Sequence, residues 1–195
     1  MVPADSPGLE IRGIETMEPR TVNDLFFTDV HVPRSAVVGL PRNGWKQLMR
    51  GLGVERLIIA AMSLGAAQRS LDDVVAYVGA REQFGRPIAT FQALRHRIAD
   101  LATDIEFARA FLYDAAQRVD AGQEALLSRD SAMAKLRCTE IAKHTALEAM
   151  QMMGGYGYAR EYGMEGQVRR ALAPPIYGGT NEIQREIIAG TILGR

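Results

Sequence analysis

Eight apolar residues set the frame for this chain. Leu94, Ile98, Leu101, Ile105, Ala108, Leu112, Ala115 and Val119 follow one another at spacings of 4, 3, 4, 3, 4, 3 and 4. That is a heptad seam over more than three heptads, and an α-helix keeps such positions on one face. At 1.5 Å per residue the seam is roughly 40 Å long. Gly122 closes it, as glycine commonly does beyond a helix C-terminus.

The neighbouring segments supply partners. Trp45 to about Gly79 runs without proline and carries apolar residues at 45, 48, 49, 52, 57, 61 and 64. Arg81 to Thr90, with Gly85 and Pro87, reads as a loop. A third helix is expected from about Glu124 to Met153, stopped by Gly154-Gly155. A glycine-rich loop follows, with glycines at 154, 155, 157, 163 and 166, and Pro174-Pro175 then bars a helix. Gly178-Gly179-Thr180-Asn181 leads into a last helix, Glu182 to about Leu193. Three long helices with short connections, and a fourth to complete them, predict an all-α, antiparallel up-and-down four-helix bundle.

Residues 1–40 are different. Pro3, Pro7, Gly8, Gly13, Pro19, Pro33 and Gly39 cut them into short pieces. Phe26, Val30 and Val32 alternate with Asp29 and His31, which reads as a half-buried strand ended by Pro33. Leu9 to Ile14 reads as a second strand. Two or three strands do not make a stable sheet alone. The segment is therefore expected to pack on the later domain or to complete a sheet supplied by other chain.

Composition removes several classes of function. Lys+Arg is 23 and Asp+Glu is 23, so the net charge is zero. Such a chain has no electrostatic footprint for nucleic acid or an acidic membrane. Its 47% hydrophobic content is that of a globular protein. A single cysteine, Cys138, forbids an intrachain disulfide and points to a reducing compartment, the cytoplasm. The opening MVPADSPGLE lacks the basic and apolar regions of a signal peptide. The longest apolar stretch, Leu57 to Ala67, is 11 residues and contains Ser63 and Gly65, short of the about 18 that a membrane span needs.

Familiar site motifs are sparse. His31, His96 and His144 are scattered, without HExxH or CxxC spacing, so no metal is expected. No phosphate-loop motif occurs. Cys138, among Leu136, Ile141 and Ala142, reads as a small core residue, and Met150, Met152 and Met153 as core filler. Two glycine clusters stand out. Gly154-Gly155-Tyr156-Gly157-Tyr158 lets backbone approach something flat or charged. Gly178-Gly179-Thr180-Asn181-Glu182 opens a helix, where free N–H groups suit a phosphate or carbonyl oxygen. An ordinary Thr180 N-cap would explain the second equally well.

These clusters belong to a larger set. Asp29-Val30-His31-Val32-Pro33, Gly51 to Leu57, Arg81-Glu82-Gln83-Phe84-Gly85-Arg86-Pro87-Ile88, Phe91-Gln92, Gln151 to Tyr158 and Ile176 to Ile183 occur in an order and spacing that resembles the C-terminal half of the acyl-CoA dehydrogenase family. The resemblance implies a C-terminal helical bundle over residues 43–195. It also implies that residues 1–40 are a short remnant of the family's middle β-domain, whose earlier parts lie upstream. The implied activity is FAD-dependent α,β-dehydrogenation of an acyl-CoA thioester. A glutamate removes the α-proton while the β-hydride passes to the flavin, and hydrogen bonds to the thioester oxygen stabilise the developing enolate.

The same resemblance implies the site. Most members carry the base between the Tyr and the Gly-Thr of the late loop, where this chain has Gly178. The long-chain and isovaleryl branches place it on the first bundle helix before an arginine and a leucine, which here is Glu55 of Glu55-Arg56-Leu57. Gly178 would still donate its backbone N–H to the thioester oxygen. Arg81 and Phe84 match positions that contact FAD from a neighbouring subunit, with Arg81 near the pyrophosphate. Gln92 matches a further FAD contact. Gln151, Gly154 and Gly155 belong to the loop that receives the adenosine part, and Thr180 and Glu182 to positions beside FAD. Arg56, Tyr177 and Gly179 fall beside the acyl-CoA. Implied partners are acyl-CoA, an electron-transfer flavoprotein or similar acceptor, and a homo-oligomer or a chain supplying the missing half. The location would be the mitochondrial matrix if an upstream transit peptide existed. The rival reading is a non-catalytic or truncated subunit that completes a partner's FAD site.

Overall fold

A computed structural model of the chain describes residues 1–18 and 22–194; Pro19 lies outside them. The chain forms two compact units, Met1–Gly51 and Leu52–Arg195.

In the first unit, β1 (Leu9–Ile14) pairs antiparallel with β2 (Val22–Phe27), in a register that sets Leu9 opposite Phe27 and Ile14 opposite Val22. The strand expected to reach Pro33 stops at Phe27. Asp29 takes a left-handed backbone, φ 50°, which no strand can contain. The expected half-burial is also absent, since every residue of β2 is exposed. Phe26 instead lies under the Arg12 guanidinium, 4.7 Å from its ring centre.

Helix α1 (Gly44–Ala80) starts in the first unit and continues into the second. The second unit adds α2 (Gln92–Asp120), α3 (Glu124–Met153), the single turn α4 (Gly155–Tyr158), α5 (Met164–Leu172) and α6 (Asn181–Leu193). The α2 seam is buried at Leu101, Ile105, Ala108, Leu112 and Ala115. It meets a matching seam on α1, Ala60, Leu64, Ala67, Leu71, Val74 and Val78, at spacings of 4, 3, 4, 3 and 4. From α3 come Ala134, Cys138, Ile141, Ala142, Ala149, Met152 and Met153. Ala61, expected on the apolar face of α1, is exposed. Removing the Leu101 side chain to Cβ would cost about 3 kcal/mol. Where helices come closest, glycine makes room: a Cβ on Gly53 would meet the Leu127 side chain at 3.0 Å.

Two expected loops carry more order. Glu82–Gln83 and Arg86–Pro87 form a hairpin whose two-residue turn is Phe84 (φ 53°) and Gly85 (φ 77°). Two positive φ values are those of a type I′ turn. The glycine-rich stretch after Met153 holds α4 and α5. Gly163, at φ 72°, turns the chain into α5, whose Gln167 accepts from the Ser70 hydroxyl at 2.5 Å and donates to Asp73 at 2.6 Å, both on α1. A prediction weighted by glycine content passes over such a helix, because its partners are tertiary.

Candidate functional site

Gly178 fixes where the site can be. Its φ is 64°, that of Gly179 is 82°, and a Cβ on Gly178 would stand 2.3 Å from Cδ1 of Ile59. The loop before α6 therefore packs directly on α1. Ile59 lies one helical turn beyond Glu55, so both residues share a face of α1. Glu55 is exposed. Arg56 is half-buried, and its Nε is buried without a hydrogen-bond partner. Burial lowers the pKa of its guanidinium, and the Glu55 charge restores part of the fall.

Beneath the loop lies a polar layer that pattern analysis passed over. Lys135 is fully buried, and its Nζ donates to Gly179 O at 2.8 Å and to Asn181 Oδ1 at 3.0 Å. Thr139 Oγ1 donates to the same Asn181 oxygen at 3.2 Å. Gln184 Nε2 lies 3.3 Å from Gly178 O, 2.8 Å from Gly179 O and 3.4 Å from Thr180 O. Burial pulls the Lys135 ammonium down to about 8; Glu182 opposes the shift and Arg56 adds to it. A signal for this layer was present. Ser131, Lys135, Cys138, Ala142, Thr145, Ala149 and Met152, all buried, run at spacings of 4, 3, 4, 3, 4 and 3, so a lysine occupies a core position of α3.

At the start of α6, Thr180 Oγ1 accepts the Ile183 N–H at 3.4 Å, an N-cap. Glu182 is held below the usual carboxylate range, first by its own backbone N–H and then by the Thr180 hydroxyl. Thr180 and Glu182 line a cleft of about 350 Å³ with Glu140, Lys143 and Arg185. Tyr177 is exposed at 44%, and partial burial raises its phenol pKa.

Arg81, Gly154 and Gly155 meet in a second, separate cleft of about 590 Å³, with Tyr77 and Tyr156 in its walls. The Arg81 guanidinium sits over the Tyr156 ring at 5.2 Å, a cation–π contact. Tyr156 also packs against Tyr77 and Tyr162, at ring separations of 6.3 and 5.0 Å. A Cβ on Gly154 or Gly155 would meet nothing within 4 Å, so the cleft is open on that side. Gln151, in the last turn of α3, is exposed. Phe84 and Gln92 do not line either cleft. Phe84 is 92% exposed and meets Phe91 edge to face at 6.0 Å, immediately before Gln92 begins α2. Most of the nominated residues thus form three groups, Glu55, Arg56 and the Gly178 loop; Thr180 and Glu182; and Arg81 with the Gly154 turn, while Phe84, Gln92 and Gln151 line neither cleft.

The residues set aside as structural behave so. Cys138 is buried and its thiol is pushed up to about 12, chiefly by desolvation. Met152 and Met153 are core, and His31, His96 and His144 are exposed. Among the described residues no helix is long and apolar enough to cross a membrane.

Residues 42–193 match the family described as acyl-CoA dehydrogenase, C-terminal domain. The probable acyl-CoA dehydrogenase YngJ of Bacillus subtilis is 39% identical over 196 residues, covering 99% of this chain and 51% of that protein. The caffeyl-CoA reductase-Etf complex subunit CarC of Acetobacterium woodii is 38% identical over 171 residues, 88% of this chain and 45% of that one. The acyl-CoA dehydrogenase of Geobacillus kaustophilus superposes with a TM-score of 0.93 at 35% identity, over 98% of this chain and 50% of its own. This chain belongs to the acyl-CoA dehydrogenase family, whose C-terminal helical domain it carries. It spans about half the length of the curated relatives it matches.

Proposed function

We propose that the chain is the C-terminal part of an FAD-dependent acyl-CoA dehydrogenase, with Glu55 as the base. The observation that carries this reading is the seat of Gly178 on Ile59, one turn from Glu55. The late-loop position has no side chain to act, and Glu55, exposed, stands one turn of α1 before the residue that the loop packs on.

The chain's residues suit part of a flavin dinucleotide. Gly154 and Gly155 leave their cleft open where side chains would project, and Arg81 brings a positive charge to it. Arg81, Gln151, Gly154 and Gly155 would hold one portion of FAD, together with Phe84 and Gln92 at the hairpin and the start of α2. Thr180 and Glu182 would lie beside another. FAD, when bound, takes up the β-hydride.

The remaining steps belong to this chain. Glu55 takes the α-proton as the C–H pair becomes the new C=C bond. The Gly178 N–H donates to the thioester oxygen, where negative charge collects. Arg56, Tyr177 and Gly179 border the thioester. The relative named as a subunit of a complex with Etf supports an electron-transfer flavoprotein as redox partner. The bacterial relatives support a cytoplasmic setting, and the exposed Phe84 tip supports association with a second copy.

Glu55→Gln tests the base. In a complete, FAD-loaded enzyme carrying this C-terminal half, acyl-CoA should bleach the flavin about 10²–10⁴-fold more slowly, with FAD affinity unchanged. Near-normal bleaching would put the base elsewhere.

A further inference from the structure

The Gly178–Thr180 segment must hold one shape for its N–H groups to serve as donors, yet two successive glycines are the least able to hold one. The restraint comes from α3 and α6. The carbonyls of Gly178 and Gly179 both turn inward, toward Gln184 Nε2 and, for Gly179, Lys135 Nζ. Among the described residues all peptide bonds are trans. A planar trans peptide carries its N–H opposite its C=O, so the N–H groups of Gly179 and Thr180 point away from Lys135 and Gln184. Once these two peptides are fixed, only the dihedrals of Gly178 separate them from the Gly178 N–H.

Lys135 is unlike the other restraints. Among the described residues it is the largest fully buried side chain, on a 30-residue helix. Burying an ammonium is expensive unless it is paired. Both of its partners belong to the loop and the residue that follows it, 44 and 46 positions further along the chain. An apolar residue would fill that core position at less cost. A buried cation with all its bonds spent on one loop is built to hold that loop.

We propose that Lys135 is a positioning residue for the thioester-binding loop: its ammonium on α3 clamps the Gly179 carbonyl and Asn181 inward, and this aims the Gly178 N–H at the thioester oxygen. The proposal rests on the reading of Gly178 as that donor.

Lys135→Met keeps an unbranched chain in the core and removes both bonds. In the 195-residue chain, hydrogen exchange at the amides of 177–181 should quicken about tenfold or more, while protection of 94–119 stays unchanged. In a complete, FAD-loaded enzyme carrying this C-terminal half, kcat should fall about 10–100-fold, with KM for acyl-CoA within about twofold. The carbonyl stretch of an isotope-labelled bound thioester reports the hydrogen bond itself. It should lie below its solution value in the parent protein and return part-way in Lys135→Met, but not in Glu55→Gln. Should Lys135→Met fail to fold, Lys135→Met/Asn181→Leu removes both partners, which is less costly than orphaning one, and is read the same way. An unshifted stretch in the parent protein would overturn the Gly178 reading and the proposal with it. A shift retained in full by a folded Lys135 variant, with unchanged exchange at 177–181, would overturn the role of Lys135 alone.

Discussion

The two glycine clusters look alike in composition and are fastened by opposite means. At Gly154–Tyr158 the chain leaves α3 through Gly154, makes the single turn α4 and is wedged by shape. A Cβ on Gly157 would stand 2.5 Å from Met150 O and 3.0 Å from Met150 Cα, and three tyrosine rings close around the turn. At Gly178–Thr180 the chain is held by charge and hydrogen bonds from below, through Lys135, Asn181 and Gln184. Steric wedging leaves an open cleft on the far side. Polar clamping leaves ordered N–H groups. In the first, Gly154 supplies a positive φ and Gly157 a close approach to backbone; in the second, Gly178 and Gly179 supply two successive positive φ values, and Gly178 also sits close to a side-chain tip.

The largest effect should come from the wedge. Gly157→Ala drives a methyl into backbone that cannot move, and should cost about 3 kcal/mol, seen as a melting temperature lower by about 10 °C. Gly155→Ala, where the space is open, should change stability by no more than about 0.5 kcal/mol. Equal effects would erase the distinction.

In the clamped loop the obstacle is a side-chain tip. Gly178→Ala should cost about 2 kcal/mol, from the left-handed backbone and from Ile59 Cδ1. Ile59→Val removes that atom, so a double-mutant cycle should return about 1 kcal/mol of coupling. The same logic governs moving the base. Gly178→Glu should recover part of the rate lost in Glu55→Gln, and more of it when Ile59→Val is added.

Alkaline stability tests whether the clamp carries a buried charge. Lys135 has a pKa of about 8 when folded against an ordinary 10.5, so between these values the unfolded state binds the extra proton and stability rises with pH. Cys138 works the other way. Its thiol keeps its proton to about 12 when folded but loses it near 9.0 when unfolded, so stability falls through that interval. Together they predict a rise of up to about 1 kcal/mol from pH 8 to 9, a level stretch, and a fall beyond about 10.5. Tyr77 and Tyr177, both raised by burial, steepen the fall. Thermal melts across this range should show the rise vanish in Lys135→Met and lengthen in Cys138→Ala.

The smallest effect belongs to the cap. Thr180→Ala should cost about 0.5–1 kcal/mol, the range of an exposed N-cap, measurable by urea titration. A larger loss would mean that Thr180 shares in the clamp.

Local periodicity was enough for α2 and α3, and for the ends of α6 to within a residue. It failed at a left-handed residue and where tertiary contacts overrode local preference. Asp29 ends a strand that alternation extends to Pro33, and α5 forms despite Gly166 because it buries Met164 and Ala171 and its Gln167 bonds Ser70 and Asp73 of α1. The site divides in the same way. Glu55, Gly178, Arg81 and Thr180 were nominated through family motifs, since nothing in their local spacing distinguishes a base from a surface carboxylate.

By itself the sequence determined the long helices, because a seam of eight apolar residues can be buried in only one way, and it determined that position 178 has no side chain. Only the tertiary structure decided that Gly178 lies on Ile59, that Arg81 shares a cleft with Gly154, and which loop the core lysine of α3 holds. A hydrogen bond between residues 44 apart leaves no trace in the spacing of either, and the cost of burying that ammonium is met only where the folded chain brings its acceptors.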